Sequence, residues 1–296
     1  MISLVGKEIA TLLDNSVRED WEKFKASTGV TPTLAVVLVG DDAASLTYVA
    51  SKGRACQRLG FNHRTLHLPE ATKEEELLAL LEHLNSDEEV DGILVQLPLP
   101  SHIDELNVIQ KIDPVKDVDG LHPLNMGLLL LGKPRLIPCT PLAIVHLLNH
   151  YQIEIRSKNV TIVGRSNIVG KPLAALLSQK GRDATITLCH SQTANLIEHT
   201  RSADILIAAI GVAQFIKGEM VKEGAVVIDV GINRLTDESY KRGYRLVGDV
   251  EWESVSKRSS AITPVPGGVG PLTIAMLMKN TLLAATLHHS RRNKLV

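Results

Sequence analysis

The residues with the clearest capacity for chemistry lie in S-L-T-Y-V-A-S-K-G-R-A-C, positions 45–56. There Tyr48, Lys52 and Cys56 recur four apart, and Ser45 precedes Tyr48 by three. On a helix these positions share one face. An aromatic ring one turn from an amine can carry a flat substrate beside a group that moves a proton. Spacing alone does not separate that arrangement from a solvated helix face bearing a lysine and a tyrosine, so the rest of the chain has to decide.

A second stretch, V-T-I-V-G-R-S-N-I-V-G at 160–170, reads as a strand, a tight loop and a helix start. In that context a glycine loop brings backbone amides to a dinucleotide pyrophosphate, and the helix N-terminus favours its charge. The spacing departs from G-x-G-x-x-G: Ser166 stands at the second glycine position, and Gly170 comes one residue late. An enzyme that prefers NAD usually places an acid about twenty residues on, at the end of the next strand, to bond the ribose hydroxyls. This chain has C-H-S-Q-T at 189–193 instead, and Asp183 lies at the wrong end of the strand. With Arg165 in the loop to meet a phosphate, the combination favours NADP.

Residues 263–271, T-P-V-P-G-G-V-G-P, hold three prolines and three glycines. Such a loop is stiff at the prolines and allows close backbone approach at the glycines; on these mechanics it is either a functional loop or an interdomain linker. Asp117 and Asp119 stand two apart with no acid or histidine cluster to complete a metal site, so they read as turn residues. His63, His67, His122, His146 and His190 have no ligand spacing, and no metal is expected.

The elements needed to position these groups follow from the apolar pattern. Steps of three and four residues over 2–25 predict a long amphipathic helix. Strands are expected at 33–39, 61–68 and 92–97, with helices between them, the first capped by the aspartates at 41 and 42. This alternation predicts a parallel sheet with crossover helices and a ligand site at the carboxyl ends of the strands. Gln96 and the start of the Tyr48/Lys52 helix both fall at that edge. A short helix is expected within 100–116. Pro134, Pro138 and Pro141 mark a domain boundary, with Pro141 in the first turn of a helix over 142–151. The strand–helix rhythm then repeats, with strands at 159–163, 184–189, 204–210 and 225–230, edge or closing strands at 245–247 and 261–262, and a last apolar helix over 272–287.

With 296 residues, 44% hydrophobic and 22% charged, the chain suffices for two soluble domains. Lys plus Arg number 32 against 33 acids, which argues against a nucleic-acid surface. The basic residues Arg291, Arg292 and Lys294 read as a solvated end. Three dispersed cysteines fit neither a disulfide framework nor a paired-cysteine zinc site. With no signal peptide and no membrane-spanning apolar run expected, the cytoplasm is the expected compartment.

Taken together, these stretches resemble the bifunctional methylenetetrahydrofolate dehydrogenase/methenyltetrahydrofolate cyclohydrolase family over nearly the whole chain. Its motifs occur in order: Ser45-x-x-Tyr48-Val49-x-x-Lys52-x-x-x-Cys56, Val95-Gln96-Leu97-Pro98-Leu99, Lys116-Asp117-Val118-Asp119-Gly120, Pro138-Cys139-Thr140-Pro141, Gly164-Arg165-Ser166-x-x-Val169-Gly170, and 263–271. Phe61 replaces the family's usual isoleucine after Gly60, a conservative packing change, and the short form without a formyl-ligase segment is implied.

The resemblance implies an α/β protein of two three-layer domains with an interdomain cleft. A folate-binding catalytic domain would comprise 1–138 and 271–296, and a Rossmann-type NADP-binding domain 139–270. It implies NADP-dependent oxidation of methylenetetrahydrofolate to the methenyl cation, then hydrolysis to formyltetrahydrofolate, within the one-carbon supply to purine biosynthesis. By the same resemblance Lys52 is the key group for hydrolysis, Tyr48 stacks on folate, Gln96 bonds the lysine and Asp119 holds the pterin. Val95, Leu97, Pro266, Gly267, Gly270 and Thr273 join them at the substrate. Gly164, Arg165, Ser166, Ile168, Val169, Ser191 and Ile232 contact the cofactor, with Arg165 and Ser191 at its extra phosphate. A homodimer through the NADP domain and polyglutamylated substrates are also implied. An NADP oxidoreductase of the amino-acid or hydroxy-acid type would leave Gln96, Asp119 and the proline–glycine loop unused. A nucleotide sensor without chemistry would not need both Lys52 and Tyr48.

Overall fold

The computed structural model describes residues 1–240 and 243–292. Asn293 and Lys294 of the basic end lie outside the described residues. The chain forms two compact units: Met1–Ala10 with Thr140–Thr273, and Thr11–Cys139 with Ile274–Val296. This differs from the division expected from the sequence, because the N-terminus forms a strand rather than the start of a helix. β1 (Ile2–Ser3) pairs in parallel with β11 (Ala261–Ile262), and only from Gly6 does α1 (Gly6–Thr28) begin.

In the three-stranded unit, β2 (Thr33–Val39) is central, with β3 (Asn62–Leu68) and β4 (Gly92–Val95) parallel on either side. All seven β2 residues are buried, as a strand covered on both faces requires. β3, an edge strand, has no fully buried residue. One core cluster packs Val37, Ile93 and Val95 with Leu77 and Leu81 of α3 (Glu74–Ser86) and Val108 of α4 (Glu105–Lys111). α2 (Ala43–Leu59) ends at Gly60, whose φ of 79° and closeness to the Trp21 ring exclude a Cβ. α5 (Pro123–Leu130), absent from the sequence expectations, is capped by His122 Nδ1, which accepts the Leu124 N–H at 3.0 Å.

The six-stranded unit has the order β1-β11-β8-β7-β5-β6. Its strands β5 (Asn159–Val163), β6 (Thr185–Cys189), β7 (Ile205–Ala208) and β8 (Val226–Asp229) pair in parallel throughout. β11 is interior, since β1 covers its outer side; the sequence alone left it as an edge or closing strand. The connecting helices are α6 (Cys139–His150), α7 (Gly170–Leu177), α8 (Leu196–Arg201) and α9 (Trp252–Val255). β9 (Asn233–Thr236) and β10 (Tyr244–Val247) form a separate antiparallel pair.

α10 (Val269–Arg292) is, against expectation, long and apolar enough to cross a membrane. Of its apolar window, 61% is buried inside the protein, the property of a core helix, and Ala275, Met276, Met278 and Thr281 are buried.

Candidate functional site

In the three-stranded unit, α2 starts at the carboxyl end of β2. Asp42 Oδ2 accepts the Ser45 N–H at 2.8 Å, the expected cap. One turn into the helix Tyr48 is half-buried, and burial raises its hydroxyl pKa. The next turn brings Lys52, whose Nζ donates to Gln96 Oε1 at 2.8 Å. Gln96 follows β4 directly: its backbone N–H donates to Val37 O at 2.8 Å and its Nε2 to Leu97 O at 2.6 Å. The glutamine is therefore held from both sides with its oxygen toward the amine. The Leu97–Pro98 bond is cis. Cys56, the third residue of the helix face, is fully buried with its thiol pushed up to about 12 by burial, and its Sγ lies 3.7 Å from Met278 Sδ. It belongs to the core.

Burial lowers the Lys52 pKa, opposed by the negative charge of Asp119. An amine so placed can give up a proton nearer neutrality than a solvent-exposed lysine. Asp119 reaches this point because the preceding residues extend the sheet: Ile93 N–H donates to Lys116 O at 2.7 Å, and Ile93 bridges Asp117 in parallel. The two aspartates then part. Asp117 is buried and accepts from Leu121 N, His122 N and Asn125 Nδ2 at 3.2, 2.8 and 2.8 Å. It holds the turn, and burial raises its pKa. Asp119 instead faces Lys52 and the Cys139 thiol. Burial pushes that thiol well above its ordinary value, so Cys139 is neutral near pH 7.

Spacing gave no hint of Asn280, a buried residue of α10. Its Nδ2 reaches Val118 O and Ile137 O, each at 2.9 Å, and Cys139 Sγ at 3.6 Å. It ties the Asp119 turn to the segment before α6, and Gly120 (φ 72°) has no room for a Cβ against Ile137.

The six-stranded unit carries the glycine loop between β5 and α7. Gly164 has φ 127°, and a Cβ there would overlap the Ala209 carbonyl; a Cβ on Gly170 would overlap the Gly164 carbonyl. Ser166, at the place of the usual second glycine, accepts the Val169 N–H on its Oγ at 3.1 Å. Arg165, Ser166, Asn167 and Ile168 are exposed at the carboxyl edge of the sheet, and Val169 is half-buried. After β6, His190 N–H donates to Thr193 Oγ1 at 2.8 Å and Gln192 N–H to His190 Nδ1 at 3.2 Å, leaving Ser191 exposed. Asp183 is at the other end of β6, 3.3 Å from Arg156. A cradle that excludes side chains, with an arginine beside it and no acid at the β6 end, fits NADP.

Residues 263–271 are not a loose linker. Gly6 and Lys7 N–H groups donate to Gly267 O at 2.9 and 3.1 Å, and a Cβ on Gly270 would stand 3.3 Å from Ile232 Cδ1. Thr273 Oγ1 lies 3.3 Å from Thr140 Oγ1. Pro266, which follows a cis bond, Gly267, Gly270 and Thr273 thus belong to the same unit as the glycine loop, whereas Tyr48, Lys52, Val95, Gln96, Leu97 and Asp119 belong to the other. Val212, half-exposed in the loop after β7, is a further apolar residue at the cofactor edge. Its only sequence signal is a position just past a buried strand.

A parallel sheet with a dinucleotide cradle, and a second sheet whose edge holds a partly buried lysine–glutamine pair, define a nucleotide-dependent enzyme with proton chemistry of its own. The chain belongs to the tetrahydrofolate dehydrogenase/cyclohydrolase family: the model of the family's catalytic domain matches residues 4–119, and that of its NAD(P)-binding domain residues 138–289. It is similar to the bifunctional protein FolD of Prosthecochloris aestuarii, with 54% identity over 98% of this chain and 100% of the relative. Among solved structures, it resembles the FolD methylenetetrahydrofolate dehydrogenase/cyclohydrolase of Campylobacter jejuni, with TM-score 0.90 and 47% identity over 97% and 99% of the two chains. The FolD of Trypanosoma brucei, complexed with NADP cofactor and an inhibitor, gives TM-score 0.93 and 39% identity over 99% of each chain.

Proposed function

We propose that the protein oxidises methylenetetrahydrofolate to methenyltetrahydrofolate with NADP and then hydrolyses the product to formyltetrahydrofolate. The observation that carries this reading is the Lys52–Gln96 pair at 2.8 Å, in a chain that matches the family from end to end. NADP, when bound, supplies the hydride acceptor. Hydride transfer needs the reacting carbon held in place and no side-chain base; Tyr48 stacks on the folate, and Asp119 accepts hydrogen bonds from the pterin. Val95, Leu97, Pro266, Gly267, Gly270 and Thr273 complete the substrate contacts.

Hydrolysis needs proton transfer. As water adds to the methenyl carbon, the Lys52 amine takes one of its protons to leave a hydroxyl on that carbon. The resulting ammonium gives the proton to the ring nitrogen as the carbon–nitrogen bond breaks, and the hydroxyl proton passes to solvent as the formyl C=O forms. Gln96 keeps the amine aimed. The lowered Lys52 pKa and the cationic substrate both favour the free amine on which this cycle starts.

Arg165 and Ser191 bind the phosphate that distinguishes NADP from NAD, and Gly164, Ser166, Ile168, Val169 and Ile232 hold the rest of the cofactor. Turnover with NADP should exceed turnover with NAD at equal concentrations. Arg165→Ala should cut NADP use about tenfold or more, the worth of one charge-assisted hydrogen bond of about 1.5–3 kcal/mol, with little change for NAD. Faster turnover of the unaltered protein on NAD would contradict the assignment.

Three buried free cysteines support a reducing, cytoplasmic setting, and supply of one-carbon units to purine biosynthesis with polyglutamylated folates is the matching role. A homodimer through the six-stranded unit is expected; light scattering from the purified protein reads its mass, and a monomer at micromolar concentration would contradict it.

A further inference from the structure

We infer that Asp249 is a positioning residue for the cofactor, fixing through its carboxylate the two loops on which the nicotinamide half rests. This rests on the NADP site described above. Asp249 follows β10 and is 0% exposed. Its Oδ2 accepts the Ile210 and Gly211 N–H groups, at 2.6 and 2.9 Å, in the loop after β7. Its Oδ1 accepts from Asn233 Nδ2 at 2.9 Å, immediately after Ile232 in the loop after β8. One side chain thus ties together the segments that carry the half-exposed Val212 and Ile232.

Asp249 is itself fixed by a second buried carboxylate. Asp229, the last residue of β8, accepts the N–H groups of Asp249, Val250 and Gly231 at 2.9, 3.0 and 3.0 Å. Its own N–H donates to Thr263 Oγ1 at 2.7 Å, at the start of the proline–glycine loop. A Cβ on Gly231 would overlap the Asp249 carboxylate, and one on Gly248 the Asp229 carboxylate, so the backbone closes on both acids. Burial pushes the Asp229 carboxyl up to about 7, with the neighbouring Asp249 charge acting in the same direction. Two buried acids side by side are a costly way to close loops; their value lies in fixing several donors at once.

Strand order says which part of the cofactor these loops meet. The pyrophosphate sits at the glycine turn after β5, and the adenosine ribose at the end of the next strand, β6. β7 and β8 lie on the other side of β5, beneath the nicotinamide. Hydride transfer depends steeply on placement, a displacement of about 1 Å costing on the order of a hundredfold. Hydrolysis of supplied methenyltetrahydrofolate involves no hydride.

The test separates the two reactions. Asp249→Asn keeps the shape but turns one accepting oxygen into an amide nitrogen, facing either two backbone N–H groups or Asn233 Nδ2. It should lower kcat for NADP-dependent oxidation about tenfold or more and raise KM for NADP, with hydrolysis of supplied methenyltetrahydrofolate within about twofold of the unaltered protein. Asn233→Ala, which removes a single bond to the same carboxylate, should move the dehydrogenase in the same direction by a few-fold, and it decides the matter if Asp249→Asn does not fold. Equal loss of both activities in folded protein, or unchanged dehydrogenase constants, would overturn the inference. Inactivity of the unaltered protein with NADP would overturn the reading of the site and this inference with it.

Discussion

Lys52→Met should lower hydrolysis of methenyltetrahydrofolate by about 10²–10⁴-fold, the range a positioned proton carrier contributes, while leaving most of the hydride transfer. Methionine nearly matches the volume of the lysine stem and so fills the same space beside Gln96, which isolates the loss of the amine from a packing defect. In a coupled assay the methenyl intermediate should accumulate and decay only as fast as in buffer. In the unaltered protein hydrolysis should rise with pH as Lys52 loses its proton. Because burial lowers the Lys52 pKa below its ordinary 10.5, that rise should come at lower pH than an exposed lysine would give. The dehydrogenase step should lack it. If Lys52→Met hydrolyses the methenyl substrate as fast as the unaltered protein, Lys52 is not the proton carrier.

Asp119→Ala should weaken folate use in both reactions together. A carboxylate that accepts hydrogen bonds from the pterin contributes about 1.5–3 kcal/mol, so kcat/KM for the folate should fall roughly ten- to a hundredfold in each assay, with KM for NADP little changed. The same substitution has a second signature. The Asp119 charge raises the Lys52 pKa, so its removal should move the hydrolytic pH rise to lower pH. Unchanged folate constants would exclude a pterin-holding role. A fall confined to hydrolysis would show that Asp119 acts only through Lys52.

The sequence reached the large elements because their burial is written in local composition. The seven-residue run of β2 and the strand–loop–helix around Gly164 are apolar stretches bounded by turn residues, and the Asp42 cap is a short-range signal. Elements fixed by distant partners were not legible. β1 is two residues long and exists because β11, near the other end of the chain, lies beside it. α5 reads L-N-M-G-L-L-L after its proline, too uniformly apolar to show a helical period, and β9 is N-R-L-T, with no apolar run.

The site divides in the same way. The expectation of NADP arose locally, from an arginine in the glycine loop and C-H-S in place of an acid. The Lys52–Gln96 bond joins residues on different elements: the strand–helix pattern brought both to one sheet edge, and the resemblance to a family supplied the bond between them. Spacing read Asp117 and Asp119 alike, as turn residues. The structure makes Asp117 a turn staple through its bonds to Leu121, His122 and Asn125 and leaves Asp119 beside the lysine. Asn280 and Asp249 carried no signal, since a positioning residue is defined by what it bonds.

The central claim, that one chain performs both reactions, is tested most directly by following methenyl cation absorbance after methylenetetrahydrofolate and NADP are added to the purified protein. A rise that requires NADP is expected, then a decay faster than in buffer, with formyltetrahydrofolate as the product. No NADP-dependent rise, or a rise that decays no faster than in buffer, would contradict it.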